Sequence, residues 1–168
     1  TCWGKNDQGH ANVPASLEPI VAIASGAWYH TCALDHLGKV TFWGSNGEGQ
    51  LEVPTDLGTA TAIDVNRNQS CAINSEKEVV CWGTEAYGVT DVPTDLGPAL
   101  AISLGDFHTC AITENQSVIC WGDDYHGQVS DVPNGKFIHL SAGRDHVCAS
   151  SITNELHCWG DNSHGQCD

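Results

Sequence analysis

The segment "CWGDDYHGQ" at residues 120–128 opens on Cys-Trp-Gly, runs through polar residues and closes on Gly-Gln. It returns almost unchanged as "CWGDNSHGQ" at 158–166, and more loosely as "CWGKNDQGH" at 2–10, "FWGSNGEGQ" at 42–50 and "CWGTEAYGV" at 81–89. The tryptophans Trp3, Trp43, Trp82, Trp121 and Trp159 lie 40, 39, 39 and 38 residues apart. A second glycine follows each of them, at Gly9, Gly49, Gly88, Gly127 and Gly165. Upstream of the last four stand Cys32, Cys71, Cys110 and Cys148, in the strings "HTCAL", "QSCAI", "HTCAI" and "HVCAS". A Val-Pro closes each unit, at Pro14, Pro54, Pro93 and Pro133.

A period near 40 residues marks either a helical array or a propeller. Helical repeats need apolar residues at 3.6 spacing, and no such run occurs. One unit instead breaks into the short β-rich pieces "PIVAIASG", "HTCALD", "KVTFWG" and "QLEVP", bounded by Gly, Asn and Asp. Four short strands per repeat make a propeller blade. The expected fold is therefore an all-β propeller of about four 39-residue, four-stranded blades, forming one domain over 1–168. The repeats run approximately 15–54, 55–93, 94–133 and 134–168, with a partial repeat 1–14. Gly26, Gly105 and Gly143 precede the Cys strands, and Asn66 replaces glycine in the second unit. Asn substitutes for Gly most readily at positive φ, so a left-handed turn is expected there. The Gly after each Trp is expected to serve the following turn in the same way. The recurring Trp reads as packing between blades.

Composition narrows the function. Six basic residues oppose twenty-one acidic ones, for a net charge of −15. Nucleic-acid binding needs clustered Lys and Arg, so that class is excluded, as is attraction to anionic membranes. No apolar run approaches the roughly 20 residues of a membrane-spanning helix. The chain contains no methionine and opens on Thr1, which reads as a processed or excised segment.

The stretch "SLGDFHTCAITENQSVICWGDDYHGQ", residues 103–128, resembles a repeat of the regulator of chromosome condensation family, and the likeness extends over essentially the whole chain. The resemblance implies a β-propeller, usually of seven blades. It implies no single function, because the family includes nucleotide exchange factors for a small GTPase, chromatin binders and secreted bacterial inhibitors of β-lactamases. Seven blades would need roughly 270 residues. No exchange loop of the family matches residues here.

Nine cysteines carry the next step. Cys71 and Cys81, Cys110 and Cys120, and Cys148 and Cys158 are each ten apart across a turn. In an antiparallel hairpin such residues face one another within disulfide reach. Zinc is the weaker reading, since there is no CxxC. Disulfides place the protein outside the reducing cytosol, secreted or at the cell surface. Two sequons agree: Asn68-Gln69-Ser70 and Asn115-Gln116-Ser117 both fall in expected exposed turns and are the candidate glycan sites.

Three cysteines remain. Cys32 faces position 42, which is Phe42; Cys2 precedes Trp3 with no upstream strand; Cys167 follows the last Gly-Gln. All three are intermolecular candidates. With the Trp strand third in each blade, "HANVP" can complete the last blade and close a four-bladed ring, leaving "TCWG" as a surplus N-terminal strand. Donating that strand to a neighbour would bury Trp3, worth roughly 1.5–3 kcal/mol, and unlike surfaces would give a head-to-tail ring or filament. Cys32 is the preferred acceptor for Cys2, Cys167 the second.

No catalytic constellation or cofactor motif is present, and a non-enzyme is expected. His30, His108 and His146 recur two residues before the Cys and read as structural. Asp123, Asp124 and Asp161 are weak candidates for Ca²⁺, because the full calcium-loop spacing is missing. The function expected is an extracellular structural or interaction protein, a homopolymer subunit linked by disulfides. The alternative is a secreted binding module, a lectin or protein inhibitor, using Trp28, Tyr29, Tyr87, Phe107 and Tyr125, or an excised part of a larger propeller.

Overall fold

A computed structural model describes residues 1–26 and 30–168. They form four three-stranded antiparallel sheets, each a meander of consecutive strands. The first holds β1 (Ile20–Ser25), β2 (His30–Asp35) and β3 (Val40–Gly44); the second β4 (Ala60–Asn66), β5 (Gln69–Asn74) and β6 (Val79–Gly83). The third holds β7 (Ala99–Leu104), β8 (His108–Thr113) and β9 (Val118–Gly122); the fourth β10 (Phe137–Ala142), β11 (His146–Ser151) and β12 (Leu156–Gly160). The central strands β2, β5 and β8 are buried at every residue. Their runs of Thr, Cys, Ala, Leu and Ile suit a strand covered on both faces.

The blades stack in sequence order. One apolar cluster joins the first and second sheets through Leu34, Phe42, Ile63, Ala72 and Trp82. A second joins the second and third through Ile73, Val79, Ile102, Ala111 and Trp121. A third joins the third and fourth through Ile112, Val118, Leu140, Ala149 and Trp159. Trp82, Trp121 and Trp159 therefore pack against the blade before their own. All four inner strands start with a register shift, between Ile20/Ala22, Ala60/Ala62, Ala99/Ala101 and Phe137/His139. The bulged residues are turned outward, which explains why Val21, Leu100 and Ile138 are exposed.

Three expectations are corrected. The fourth strand does not form: "QLEVP" and its equivalents are turns, so each blade has three strands. The N-terminal piece does not complete the last blade either. It lies over the first, where the His10 carbonyl accepts the Trp43 indole N–H at 2.8 Å. Among the described residues no apolar cluster joins the fourth sheet to the first, and "TCWG" adopts no strand, leaving Trp3 87% exposed.

The third correction concerns the turn glycines. The Gly after each Trp strand and the second glycine of each motif are left-handed, from φ 70° at Gly88 to φ 114° at Gly44. Gly26, Gly105 and Gly143 are not among the left-handed residues, nor is Asn66. They are small for a different reason: a Cβ at Gly105 or Gly143 would collide with the ring of His108 or His146. In the second blade Gln69 replaces the histidine, and Asn66 is tolerated.

Candidate interaction surface

The strands bring the cysteines together as the spacing requires. Cys71–Cys81, Cys110–Cys120 and Cys148–Cys158 are disulfides, each between residues directly opposite in register with Cα atoms 4.1 Å apart. In the first blade Cys32 faces Phe42. Phe42 stands edge-on to Trp82 at 5.4 Å, so the aromatic ring fills the joint to the next blade. Cys32 is 0% exposed, and burial pushes its thiol up to about 12, against a hydrogen bond with Ala24 and with help from Asp64. A sealed thiol held protonated cannot exchange with a neighbour. Cys32 is thus withdrawn as the acceptor, leaving half-buried Cys2 and Cys167 as the remaining free cysteines.

The turns joining the first two strands of each blade and the loops after each Trp strand lie at one end of the sheets, as Asp123 N–H to Phe107 and Asp161 N–H to Asp145 show. Here Arg67, Asp106 and Arg144 occupy the same position in successive repeats, one past Asn66, Gly105 and Gly143. The Asp106 carboxylate is held between both guanidinium groups, 3.2 Å from Arg67 and 3.7 Å from Arg144. Arg67 also lies 4.2 Å over the Phe107 ring, and Phe107 meets Tyr87 at 4.8 Å. Tyr87 holds φ 58°, a costly conformation for a bulky residue, and remains exposed. The arginine–aromatic stack joins the second and third blades, and the ion pair of Asp106 with Arg144 extends the cluster to the fourth. The sequence reading found its aromatics but missed both arginines and Asp106, whose signal was the alternation of charge at one repeat position. Tyr125 is exposed in a separate loop beside His126, while Trp28 and Tyr29 lie outside the described residues.

Two of the three recurring histidines, His30 and His108, are buried. His30 contacts the Ser70 hydroxyl of the next blade at 3.2 Å, and Gln69, in the histidine's place, donates to the Gly105 carbonyl at 2.8 Å. His108 is fully buried. The candidate calcium ligands are turned into their own loops. Asp123 accepts from Gln128, Asp124 from the backbone of Val129 and Ser130, and Asp161 from Ser163 and Gln166. The Ser163 N–H first, and its hydroxyl with Gln166 besides, hold the Asp161 carboxyl below its usual range against partial burial. Among the described residues no three His, Cys, Asp or Glu side chains converge as a metal site. Asn115 is exposed at a hairpin tip. Asn68 is half-buried and accepts from Gln50, while Ser70 of its sequon is buried against the Gln50 carbonyl, so the expected exposure fails there.

Near the inner strand ends, Asp64 accepts the Leu104 N–H and Ser103 the Ala142 N–H, both at 2.9 Å, tying adjacent blades around a cleft of about 430 Å³. Burial raises the Asp64 carboxyl despite those bonds. No helix of the described residues is long and apolar enough to cross a membrane.

The profile of the regulator of chromosome condensation (RCC1) repeat matches residues 20–50, 100–128 and 137–166, more than half of the chain. The protein belongs to that repeat family. No curated protein matches its sequence. The ectodomain of the receptor kinase CR4 of Physcomitrella patens superposes with a TM-score of 0.71 at 25% identity, covering 85% of this chain and 39% of that one. The CRINKLY ectodomain of the Arabidopsis thaliana receptor kinase ACR4 gives 0.67 at 26%, covering 84% and 49%. Prp20p of Saccharomyces cerevisiae gives 0.74 at 22%, covering 88% and 46%, a likeness of fold alone. The chain spans less than half the length of each of these structures.

Proposed function

We propose that the protein is a non-enzymatic extracellular interaction module that assembles head to tail with copies of itself, joined through cysteines outside the blades. The observation that carries the reading is the division of its cysteines: six are closed into in-blade disulfides, while Cys2 and Cys167, before the first blade and after the last, stay accessible. Disulfide staples fit an oxidising compartment, and two of the structural relatives are ectodomains of receptor kinases. Two partly exposed free thiols per chain make a monomer that extends. Each Cys2–Cys167 link would release two protons and pass two electrons to an oxidant such as glutathione disulfide. A glycan on Asn115 would project from the hairpin tip opposite the loop surface.

Purified chain incubated with oxidised glutathione should give a ladder on a non-reducing gel, and Cys2→Ser or Cys167→Ser should abolish it, since each link needs both cysteines. A single monomer band from the parent would refute the reading. A second reading, a secreted binding module, is favoured by the exposed Tyr87 on the Arg67–Phe107 stack, since Tyr and Arg dominate interface hot spots. It predicts binding on a glycan or protein array that Tyr87→Ala abolishes.

A further inference from the structure

We propose that the outer edge of β6, in the second blade, is a docking site for an extended, lysine- or arginine-rich segment of another protein, which adds to the sheet as a fourth strand. The proposal is independent of assembly through Cys2 and Cys167, because the edge and the clefts beside it lie between residues 48 and 98. β6 pairs with β5 on one side and with no strand on the other. The register fixes which backbone groups point outward. The Asn74 N–H donates to the Glu78 carbonyl at 3.0 Å and the Thr84 N–H to the Asn68 carbonyl at 2.9 Å, so Glu78, Val80, Trp82 and Thr84 turn their backbone groups towards β5. The intervening pair Cys71 and Cys81 is a close one, with Cα atoms 4.1 Å apart, as antiparallel pairs without hydrogen bonds are. The N–H and C=O groups of Val79, Cys81 and Gly83 therefore point away from β5, and among the described residues none of them has a partner. Such a row is a template for an incoming strand.

Two clefts lie beside this edge. One, of about 420 Å³, runs from Val79 and Val80 to the loop carrying Val92, Leu96 and Pro98. The other, of about 350 Å³, lies at Cys81, Trp82 and Gly83. They offer room for the side chains of an added strand. Charge selects the occupant. Glu76 and Glu78 line the first cleft, Glu48, Glu52 and Glu85 the second, and all five are exposed. Glu48 and Glu52 are held there because Gln50, between them, caps the second blade. Its carbonyl accepts the Trp82 indole N–H at 3.0 Å, as the Val89 and Gln128 carbonyls accept those of Trp121 and Trp159. Lys77, beside Glu76 and Glu78, is already paired with Glu114 at 2.6 Å. The same five repeat positions hold two carboxylates beside β9, Asp91 and Asp124, and one beside β12, Glu155. They hold none beside β3, where Lys39 stands in the place of Glu78. The concentration of acid at β6 attracts a cationic strand and repels a second copy of a chain of charge −15.

NMR titration of the full ¹⁵N-labelled chain tests the proposal, with the synthetic peptide acetyl-Lys-Val-Lys-Val-Lys-Val-Lys-amide as the probe. The amides of Val79, Cys81 and Gly83 should shift and exchange with solvent more slowly. The peptide acetyl-Lys-Pro-Lys-Pro-Lys-Pro-Lys-amide, equal in charge but unable to form a strand ladder, should not bind. Glu76→Gln, Glu78→Gln and Glu85→Gln together should weaken binding of the valine peptide about tenfold. Asp7→Asn, Glu18→Gln and Glu155→Gln, which remove as much charge elsewhere, should change it less than about twofold. No binding by the parent, equal losses in the two triple variants, equal binding of the proline peptide, or shifts spread over the acidic surface away from β6 would overturn the proposal. So would protection of the same amides that rises with protein concentration in the peptide-free chain, which would make a second copy the occupant.

Discussion

Acidification from pH 7 to 4.5 should weaken the fold through His108 in particular. Its ring is fully buried, and among the described residues both ring nitrogens lack hydrogen-bond partners. Burial chiefly lowers its pKa from 6.5 to about 4, with His146 adding to the effect and Asp123 opposing it. Between those values the unfolded chain binds a proton that the folded chain refuses. Stability from this residue is complete above about pH 6.5 and declines as the pH falls towards 4. Each tenfold difference in proton affinity is worth about 1.4 kcal/mol, so the fall to pH 4.5 removes roughly 2–3 kcal/mol. Asp64, its carboxyl raised by burial, works the other way and gains stability on protonation. A difference measurement isolates the histidine. Urea unfolding followed by tryptophan fluorescence at both pH values should show the parent losing that much more than His108→Gln, which installs the residue found at the equivalent position 69. His108→Phe provides a second, non-titrating control of similar ring size. Equal losses in parent and both variants would refute the argument.

Further outcomes follow from single contacts. Gly105→Ala should destabilise the protein by about 1–3 kcal/mol, because the new methyl meets the His108 ring, and the loss should shrink in a Gly105→Ala, His108→Gln double variant measured by the same unfolding assay. Replacing Cys110 and Cys120 by Ser should cost roughly 2–3 kcal/mol, read as a lower Tm, and peptide mapping of the parent should link these two residues. Expressed in a host that glycosylates Asn-X-Ser, the chain should carry a glycan at Asn115 and none at Asn68; mass spectrometry of the glycopeptides decides.

The repeat was legible because its signals are local. Trp and Cys sit at fixed distances across one hairpin, so their spacing alone places them opposite each other, and the disulfide register follows. What was not legible depends on contacts between blades. Gly105 and Gly143 look like turn residues in one repeat, yet their size is dictated by a histidine ring three positions later. Cys32 reads as an available partner only until the next blade closes over it. Arg67, Asp106 and Arg144 carry meaning only when three consecutive turns are laid side by side. The missing fourth strand has a similar origin: "QLEVP" alternates like a strand, but its backbone serves the loop that caps the neighbouring Trp.

The carbonyl that each loop extends to the following tryptophan also gives the chain a direction in time. During synthesis the acceptor leaves the ribosome some 30 residues ahead of its indole, 31 to 33 for the four joints. Each indole therefore emerges after the carbonyl that will accept it. Because donor and acceptor lie in adjacent repeats at nearly constant separation, a whole period can be duplicated or lost with the handover preserved, whereas a cut inside a repeat leaves one indole without its cap. Such a chain lengthens or shortens by blades.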